Sequence, residues 1–535
     1  MLRVILSTIA ALAYLTGCGP KKEVVNKTVE RRIEIPVEVP PPITAPPEPD
    51  FLRFERFEQE IIDDLNSLPE QERLFTRYVW NPQFNEGPND IRDARIRDGV
   101  SFGINSLSTE RDMQAATGIG STDNIYRIDL RDYNLSRQKW IFIEERLDTP
   151  VVADTIRGQT IRGLTQTAVP WVYADDFYNT SFTSPGLYNY LINQPGVNSL
   201  AEFLDGIGTI PQIEFDDLEA ILGGFTQSTI SLQKNRLIQR LDTIDGSVYS
   251  TFDTDVNGDN LFENPFPVEA RSEKTFRHDA QEHLYTLPNG LLGYRLNAAN
   301  NGAGGAVENE APITVVIDNR ASIKGLSPVI NYLSCSRCHF PGILAFQDQI
   351  GPHIISSTGF NANDKLRSEN FFRGDRMASV IRQDNARLRQ AASLINISRL
   401  DLDPLNEYIT DPFRLEQDLQ QISARYFLRP GEFGERLAAS PTASVQVGNL
   451  LNRGAVGLEQ LKVSHFVIIE DLNLFRDRDQ INVGLGLASI QIAPPAKRYV
   501  GYLPGQDTPV ALNSRVVEFY KSRKIDTGGQ YEVVE

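Results

Sequence analysis

Residues 331–345 read Asn-Tyr-Leu-Ser-Cys-Ser-Arg-Cys-His-Phe-Pro-Gly-Ile-Leu-Ala. This stretch contains Cys335 and Cys338, two of the three cysteines of the chain, and His339 directly follows the second of them. Residues three and four apart share one face of a helix, so a single helical turn here presents both thiols and the imidazole on the same side. The spacing C-x-x-C-H is the pattern by which haem c is attached to protein.

The residue types at these three positions fit the chemistry of covalent haem. Two thiols at this spacing reach the two vinyl groups of one porphyrin, and the His339 imidazole can bind the iron from the same side. A structural zinc site is an alternative, but it needs two further ligands from distant histidines. A thioredoxin-like redox pair is another, but it requires a βαβ context that the residues around Tyr332 and Pro341 do not indicate. A chance match to a five-residue pattern is the third. We expect one haem c, held by Cys335, Cys338 and His339.

The N-terminus has the pattern of an export signal. Residues 1–17 carry one charge, at Arg3, and the apolar stretch from Val4 to Leu15 is too short to span a bilayer. The stretch ends in Leu-Thr-Gly-Cys, which resembles the bacterial lipobox, so Cys18 is expected to become the lipidated N-terminus. An ordinary signal peptide that contains a cysteine is the alternative. Gly19 after the cysteine favours the outer membrane, with the protein body facing the periplasm. Lipidation of Cys18 leaves only Cys335 and Cys338, which excludes a disulfide framework.

Residues 18–50 are predicted to be a linker between the lipidated cysteine and the globular part. Seven prolines lie between positions 36 and 49. Such a density favours an extended, semi-rigid polyproline II spacer, and a tail of no defined length is the alternative.

The charge balance restricts the partners. The chain has a formal net charge of -17 at pH 7. An acidic surface repels nucleic acid and anionic lipid headgroups, so membrane contact is expected through the lipid anchor alone. The same surface suits a redox partner protein with a basic face.

Apolar periodicity predicts helices near both ends of the globular part. Phe54, Phe57, Ile61 and Leu65 recur at helical spacing, and the pattern stops at Pro69. A second helix is expected from Asp90 to about Ile104. In the C-terminal third, one apolar stripe indicates a helix, and residues 444–472 indicate another helix or a pair. The stripe consists of Met377, Val380, Ile381, Leu388, Ala391 and Ile395.

Alternating patterns predict several strands. They fall at residues 125–130, 315–317 and 481–487, and residues 284–296 have the pattern of a hairpin with its turn at Pro288-Asn289-Gly290. Together these signals predict a mixed α+β, helix-dominant fold with a c-type haem-binding segment embedded in a larger globular body. The expected regions are an N-terminal α+β region at 51–275, a cytochrome c-like haem-binding region at 276–400 and a mostly helical region at 401–535.

The second axial ligand of the iron has three leading candidates. Met377 lies 38 residues beyond His339, which is far enough for the chain to cross to the other haem face, although the apolar stripe also explains it as a core residue. His353 is closer in sequence, and His278 precedes the motif. Asp279 or Glu282 could orient His278 through a hydrogen bond. Met113, His283, His465 or an open coordination position complete the alternatives.

A possible calcium loop lies at residues 253–259. Asp253, Asp255, Asn257 and Asp259 match the first half of the D-x-D-x-N-G pattern. Position 12 of such a loop is Asn264, and Glu263 falls one residue short, so the closing bidentate ligand is in doubt. A plain Asp/Asn/Gly turn is the alternative interpretation.

Several stretches resemble a family of large exported bacterial proteins with a single C-x-x-C-H motif. The matching stretches are residues 125–133, 169–175, 276–279, 287–291 and 333–339, within a resemblance that covers much of residues 120–390. Members are usually described as cytochrome c-like proteins without an assigned reaction. The resemblance therefore implies haem binding and export and supplies no substrate. Ala280-Gln281 stands where the family pattern has two glycines.

These observations favour an exported c-type cytochrome that transfers electrons in the cell envelope. The chain is far larger than a simple electron carrier needs, and roughly 280 residues precede the motif. A peroxidase-like haem enzyme, or a haem sensor of redox state or ligands, is therefore the alternative, with an open distal site. No nucleotide-binding fingerprint or Ser-His-Asp arrangement indicates a different enzyme class.

Overall fold

Helices make up about half of the structure, and several small β-sheets pack among them, so the mixed and helix-dominant fold class is confirmed. The computed structural model describes residues 51–184, 186–194, 200–209, 220–226, 235–253, 260–266, 273–276, 278, 280–298, 330–448, 454–476, 498–504, 509–528 and 531–534. Leu52–Glu535 form one unit, and Met1–Phe51 form another. The boundaries expected at 275/276 and 400/401 both fall inside the larger unit.

The α-helices of the described residues are numbered in chain order. They are α1 (Phe54–Ser67), α2 (Glu70–Arg73), α3 (Asp90–Asn105), α4 (Arg137–Glu144), α5 (Ile156–Thr165), α6 (Ala174–Thr183), α7 (Leu187–Leu191), α8 (Leu200–Gly206), α9 (Asn260–Glu263), α10 (Leu333–His339), α11 (Ile350–Ser356), α12 (Ala362–Phe371), α13 (Gly374–Leu394), α14 (Asp411–Arg414), α15 (Leu419–Arg425), α16 (Pro430–Ala439), α17 (Pro441–Gln446), α18 (Leu458–Asp471) and α19 (Ser514–Arg523). Short 3-10 helices lie at Pro82–Glu86 and Leu130–Tyr133, and a π-helix lies at Asn406–Thr410.

The strands are numbered in the same way. They are β1 (Thr76–Trp80), β2 (Thr117–Ile119), β3 (Ile125–Asp129), β4 (Trp171–Tyr173), β5 (Ile221–Thr226), β6 (Asn235–Thr243), β7 (Gly246–Asp253), β8 (Ala280–Thr286), β9 (Leu292–Ala298), β10 (Gln417–Asp418), β11 (Ala455–Val456), β12 (Arg498–Gly501), β13 (Val510–Leu512) and β14 (Tyr531–Val534). They form sheets with the orders β2-β3-β1-β4, β5-β6-β7-β8-β9, β10-β11 and β13-β12-β14.

Most of the predicted elements that fall on described residues are present. Helix α1 buries its apolar stripe and ends before Pro69, because the residue before a proline disfavours the helical conformation. Helix α3 begins at its capping residue Asn89, whose side chain accepts a hydrogen bond from the backbone N–H of Arg92. Strand β3 and helix α13 are confirmed, and α17 and α18 fall in the region of the expected helix pair. The strands expected at 315–317 and 481–487 lie outside the described residues.

An aromatic cluster in the core explains why the expected region boundaries do not separate independent bodies. The ring of Trp80 in β1 stacks on that of Phe427, with ring centroids 4.2 Å apart. Phe57 of α1 packs edge-on against Trp171 of β4 at 4.8 Å. Because residues from both ends of the globular part share this cluster, its burial stabilises them together.

The five-stranded sheet is an antiparallel meander, and it contains the predicted hairpin as β8 and β9. Side chains alternate between its two faces along each strand. The register pairs Thr251 with Glu282 and Arg236 with Asp253, so these residues share one face. We call this face the Glu282 face. The neighbouring pair Phe252 and Gln281 lies on the opposite face.

In the part of the chain that the structure describes, no helix combines the length and the apolar character needed to cross a bilayer.

Candidate haem-binding site

The three predicted attachment residues lie together on α10, which is barely two turns long. Cys335, Cys338 and His339 occupy positions i, i+3 and i+4 of this helix, the arrangement expected from their spacing. Both cysteines are free thiols, and both are buried. The His339 ring is also buried, with 8% of the residue exposed. Two reduced thiols and one imidazole are therefore held within a single turn.

The residue that precedes α10 is held in a strained conformation by aromatic packing. Tyr332 has a φ of 65°, which costs a bulky residue about 1 to 3 kcal/mol. Its ring stacks on Phe182 with centroids 3.8 Å apart and packs against Tyr188 and Tyr294, each at 5.2 Å. Tyr332 is fully buried, so this packing fixes the point at which α10 begins.

The opposite side of α10 is bound by the π-helix. The Asn406 side chain donates hydrogen bonds to the backbone carbonyl of Leu333 at 3.0 Å and to the Ser336 hydroxyl at 2.8 Å. It also donates to the Asp403 carboxylate at 2.6 Å. Burial raises the pKa of Asp403, while the Asn406 hydrogen bonds counteract that rise. Between the two cysteines, Arg337 forms an ion pair with Asp411 at 2.5 Å.

The His339 ring has one nitrogen engaged by the backbone. Its Nδ1 lies 3.3 Å from the carbonyl oxygen of Gly342 and can donate a hydrogen bond to it. Burial lowers the pKa of His339, which favours the neutral ring. A neutral imidazole that donates from Nδ1 has its lone pair on Nε2, and backbone carbonyls orient metal-binding histidines in this way. The arrangement suits His339 as an iron ligand through Nε2.

The chain after His339 is fastened to helix α13. Asn385 of α13 accepts a hydrogen bond from the backbone N–H of Ile343 at 2.7 Å and donates one to its carbonyl at 2.9 Å. Gly342 has a φ of +117°, and a Cβ at this position would collide with the Asn385 side chain. A glycine is therefore required where the chain turns from α10 towards α13.

A buried chain of charges borders α10 on the Glu282 face of the sheet. Arg236 donates two hydrogen bonds to Asp253, both at 2.9 Å, and a third to Glu282 at 3.3 Å. Burial raises the pKa of the Cys335 thiol well above its usual value. The Glu282 carboxylate raises it further, by its charge and by the hydrogen bond that the thiol donates to it. We call Asp253, Arg236 and Glu282 the buried charge chain.

Sequence reasoning missed this charge chain. Asp253 and Glu282 were assigned to a calcium loop and to the orientation of His278, and Arg236 was not singled out. The three residues are brought together only by the register of β6, β7 and β8. Alternation within a single strand does not reveal that register, so no local signal could have identified the cluster.

The donor set fits covalent haem c. Haem c needs two thiols in their reduced form and a neutral imidazole on the same helical turn, and α10 supplies all three. Considering side chains alone, no group of three or more His, Cys, Asp or Glu among the described residues is arranged to hold a bare metal ion.

Met377 is buried on α13, on the same side of the five-stranded sheet as α10. Asp384 of the same helix accepts hydrogen bonds from Arg240 at 3.2 Å and from the Tyr249 hydroxyl at 2.7 Å. Arg240 and Tyr249 are paired in register and belong to the Glu282 face. Helix α13 and the buried charge chain therefore share one side of the sheet.

His278 lies on the opposite side of the sheet. Its Nε2 is 2.7 Å from the side-chain nitrogen of Gln281, and its ring packs against Phe252 at 4.9 Å. Gln281 and Phe252 point away from the Glu282 face, so the structure does not bring His278 and His339 together. Glu282 is directed towards α10 instead of towards His278. Asp279, its other expected partner, lies outside the described residues.

The remaining histidines are placed elsewhere. The ring of His353 on α11 is half-buried between Phe262 at 4.8 Å and Phe360 at 5.9 Å. His283 contacts the Ser250 hydroxyl at 2.8 Å, and burial lowers its pKa to about 3. His465 is buried against Tyr426.

The possible calcium loop is described only at its first residue. Both carboxylate oxygens of Asp253 accept hydrogen bonds from Arg236. Asp255, Asn257 and Asp259 lie outside the described residues, and so does the predicted lipidation site Cys18.

Comparison of the chain with protein-family models, curated proteins and solved structures finds no match in any of the three. The resemblance to exported single-haem proteins stays a prediction from the sequence.

Proposed function

We propose that this protein is an exported, lipid-anchored c-type cytochrome that transfers electrons in the cell envelope. The observation that carries the proposal is the placement of two free thiols and a neutral, backbone-oriented imidazole on one turn of α10. In this proposal Cys335 and Cys338 form the thioether bonds and His339 binds the iron through Nε2. The haem supplies a one-electron couple, and the chain supplies its attachment, its burial and the charge around it.

Met377 is the distal ligand in this proposal. It is buried, it belongs to a helix on the same side of the sheet as α10, and a thioether is a known axial ligand of cytochrome c haem. Two protein ligands leave no open coordination position, which favours electron transfer over a haem enzyme or a ligand sensor. His278, on the other side of the sheet, is disfavoured by the same geometry.

The envelope location rests on the sequence of residues 1–50. A lipid on Cys18 anchors the protein, and the proline-rich linker separates the anchor from the globular part.

Haem attachment is tested on the full chain produced with a c-type haem maturation system. The expected result is a covalently bound haem with the α band of a c-type pyridine haemochrome, at one haem per chain. Replacing both Cys335 and Cys338 by serine should abolish the covalent haem. Arg337→Lys is the matched control, because it changes the residue between the cysteines and keeps both thiols. Unchanged colour and iron content in the double serine variant would refute the proposal.

A further inference from the structure

Positive charge is concentrated in one segment of this acidic protein, next to α10. Residues 361–400 contain eight Lys and Arg against four Asp and Glu, a net charge of +4, whereas the rest of the sequence contains 45 basic and 66 acidic residues, a net charge of -21. Two of the four acidic residues are sequestered, since Asp364 is buried and Asp384 pairs with Arg240. The charge that this segment presents to solvent is therefore strongly basic.

Part of this charge lies beside the chain that leaves α10. Arg382 and Arg389 are three residues before and four residues after Asn385, so all three share one side of α13. Asn385 holds Ile343 by two hydrogen bonds, which brings this side of the helix to residues 340–346. We call residues 340–346 the post-haem loop. Both arginines are exposed.

The post-haem loop itself is partly apolar and open to solvent. Pro341 and Ala345 are exposed, and Leu344 has 40% of its surface exposed. An exposed apolar centre with charged residues at its margin is the usual composition of a transient protein interface. The loop follows the proposed iron ligand by two residues, so a partner bound here is close to the iron along the chain.

We propose that the post-haem loop, together with Arg382 and Arg389, is the docking surface for a redox partner protein with an acidic face. This inference rests on the proposed haem function and specifies its partner. The overall charge of the chain predicts a basic partner, but charges beyond a Debye length, about 8 Å at physiological ionic strength, are largely screened. The local positive charge therefore governs the final approach of a partner to this surface.

The test measures electron transfer rates of the full haem-loaded chain as a function of ionic strength. The probes are flavodoxin hydroquinone, a small acidic protein that reduces the ferric chain, and hexacyanoferrate(III), a small anion that oxidises the ferrous chain. Each reaction moves one electron between the haem iron and the probe. Both second-order rate constants should fall as salt is added, because attraction between opposite charges is screened.

The deciding variant is Arg382→Gln/Arg389→Gln, which should lower the flavodoxin rate at low salt by about three- to tenfold. Arg523→Gln/Lys524→Gln is the matched control, since it removes the same charge from an exposed part of α19 and its flanking residue. The control should stay within about twofold of the unmodified chain. Equal losses in both pairs, or rates that rise with salt, would overturn the proposal.

Two other outcomes are distinguishable. If the double arginine variant loses preference for phosphatidylglycerol over phosphatidylcholine vesicles and keeps its flavodoxin rate, the surface contacts lipid and the proposal is wrong. Failure of the haem assignment is seen earlier, as a protein without a c-type α band.

Discussion

The side chain of Asn385 binds the backbone of Ile343 at both of its polar groups, at 2.7 Å to the N–H and 2.9 Å to the carbonyl. A single amide thus joins helix α13, which contains Met377, to the loop that leaves His339. The two proposed iron ligands are connected through this contact. Its geometry is that of a paired amide, which leaves both backbone groups of Ile343 satisfied.

Asn385→Ala should lower the free energy of unfolding by about 1 to 3 kcal/mol, because it removes two hydrogen bonds and leaves the partly buried Ile343 groups unpaired. Guanidinium unfolding monitored by circular dichroism measures the loss. Gln383→Ala, at an exposed position on the same helix, is the control and should change stability by less than about 0.5 kcal/mol. A loss no larger than that of the control would show that the contact does not hold the loop.

Met377→Ala should open the distal side of the haem. The unmodified ferrous protein is expected to bind carbon monoxide slowly or not at all, because a six-coordinate iron has no free position, and the variant should bind it rapidly. The measurement is the absorption change after mixing with carbon monoxide.

Ile381→Ala is the matched control for Met377→Ala. It removes a buried apolar side chain one turn along the same helix, so both variants should lose stability by about 2 to 5 kcal/mol. Only Met377→Ala should gain carbon monoxide binding. Rapid binding by the unmodified protein would contradict the assignment of Met377 and would favour the haem enzyme or sensor.

Local periodicity was sufficient to predict many of the helices and strands. The apolar stripes of α1 and α13 and the hairpin of β8 and β9 are encoded within short segments, because burial on one face requires a period of 3.6 or 2 residues. The attachment motif was equally local, since one helical turn brings its three residues together. These parts of the fold and of the candidate site could therefore be predicted from sequence alone.

The surroundings of the motif could not be predicted in the same way. His278 and Glu282 are four residues apart, yet the sheet separates their side chains, because consecutive residues of β8 face opposite directions. The contact between Arg236 and Glu282 spans 46 residues of sequence. Which strand face meets α10 is decided by tertiary packing, and no pattern within either segment records it.

Glu282→Gln should raise the reduction potential of the haem. The buried charge chain contains two carboxylates and one guanidinium, so it carries a net negative charge that stabilises the more positive ferric form. At an effective dielectric constant of about 20, removal of one such charge shifts the potential upward by on the order of 50 mV. A spectroelectrochemical titration at pH 7 measures it.

Asp375→Asn provides the comparison for Glu282→Gln. It neutralises an exposed carboxylate at the start of α13, where solvent screens the charge, so its effect should be much smaller. Equal shifts in the two variants, or a lowered potential in Glu282→Gln, would show that the charge chain does not act on the haem.

The stability of the protein should fall in mild acid, and His465 should contribute to the fall. Its Nδ1 lies 3.1 Å from the Tyr426 hydroxyl and its Nε2 lies 3.1 Å from the carbonyl oxygen of Pro150, an arrangement that suits the neutral ring. Burial lowers the pKa of His465 from 6.5 to about 3. Between these two values the unfolded chain binds the proton and the folded chain does not. The stabilisation is therefore present above pH 6.5 and is lost as the pH falls towards 3.

The measurement is the free energy of unfolding between pH 4 and pH 7. His465→Gln should reduce the slope of that curve by up to one proton, about 1.4 kcal/mol per pH unit. Leu461→Ala, one turn earlier in α18, removes a buried side chain that does not titrate, so it should lower stability at every pH by a similar amount and leave the slope unchanged. If the slope of His465→Gln matched that of Leu461→Ala, the acid sensitivity would have to come from other buried groups, such as His283, whose pKa burial also lowers to about 3.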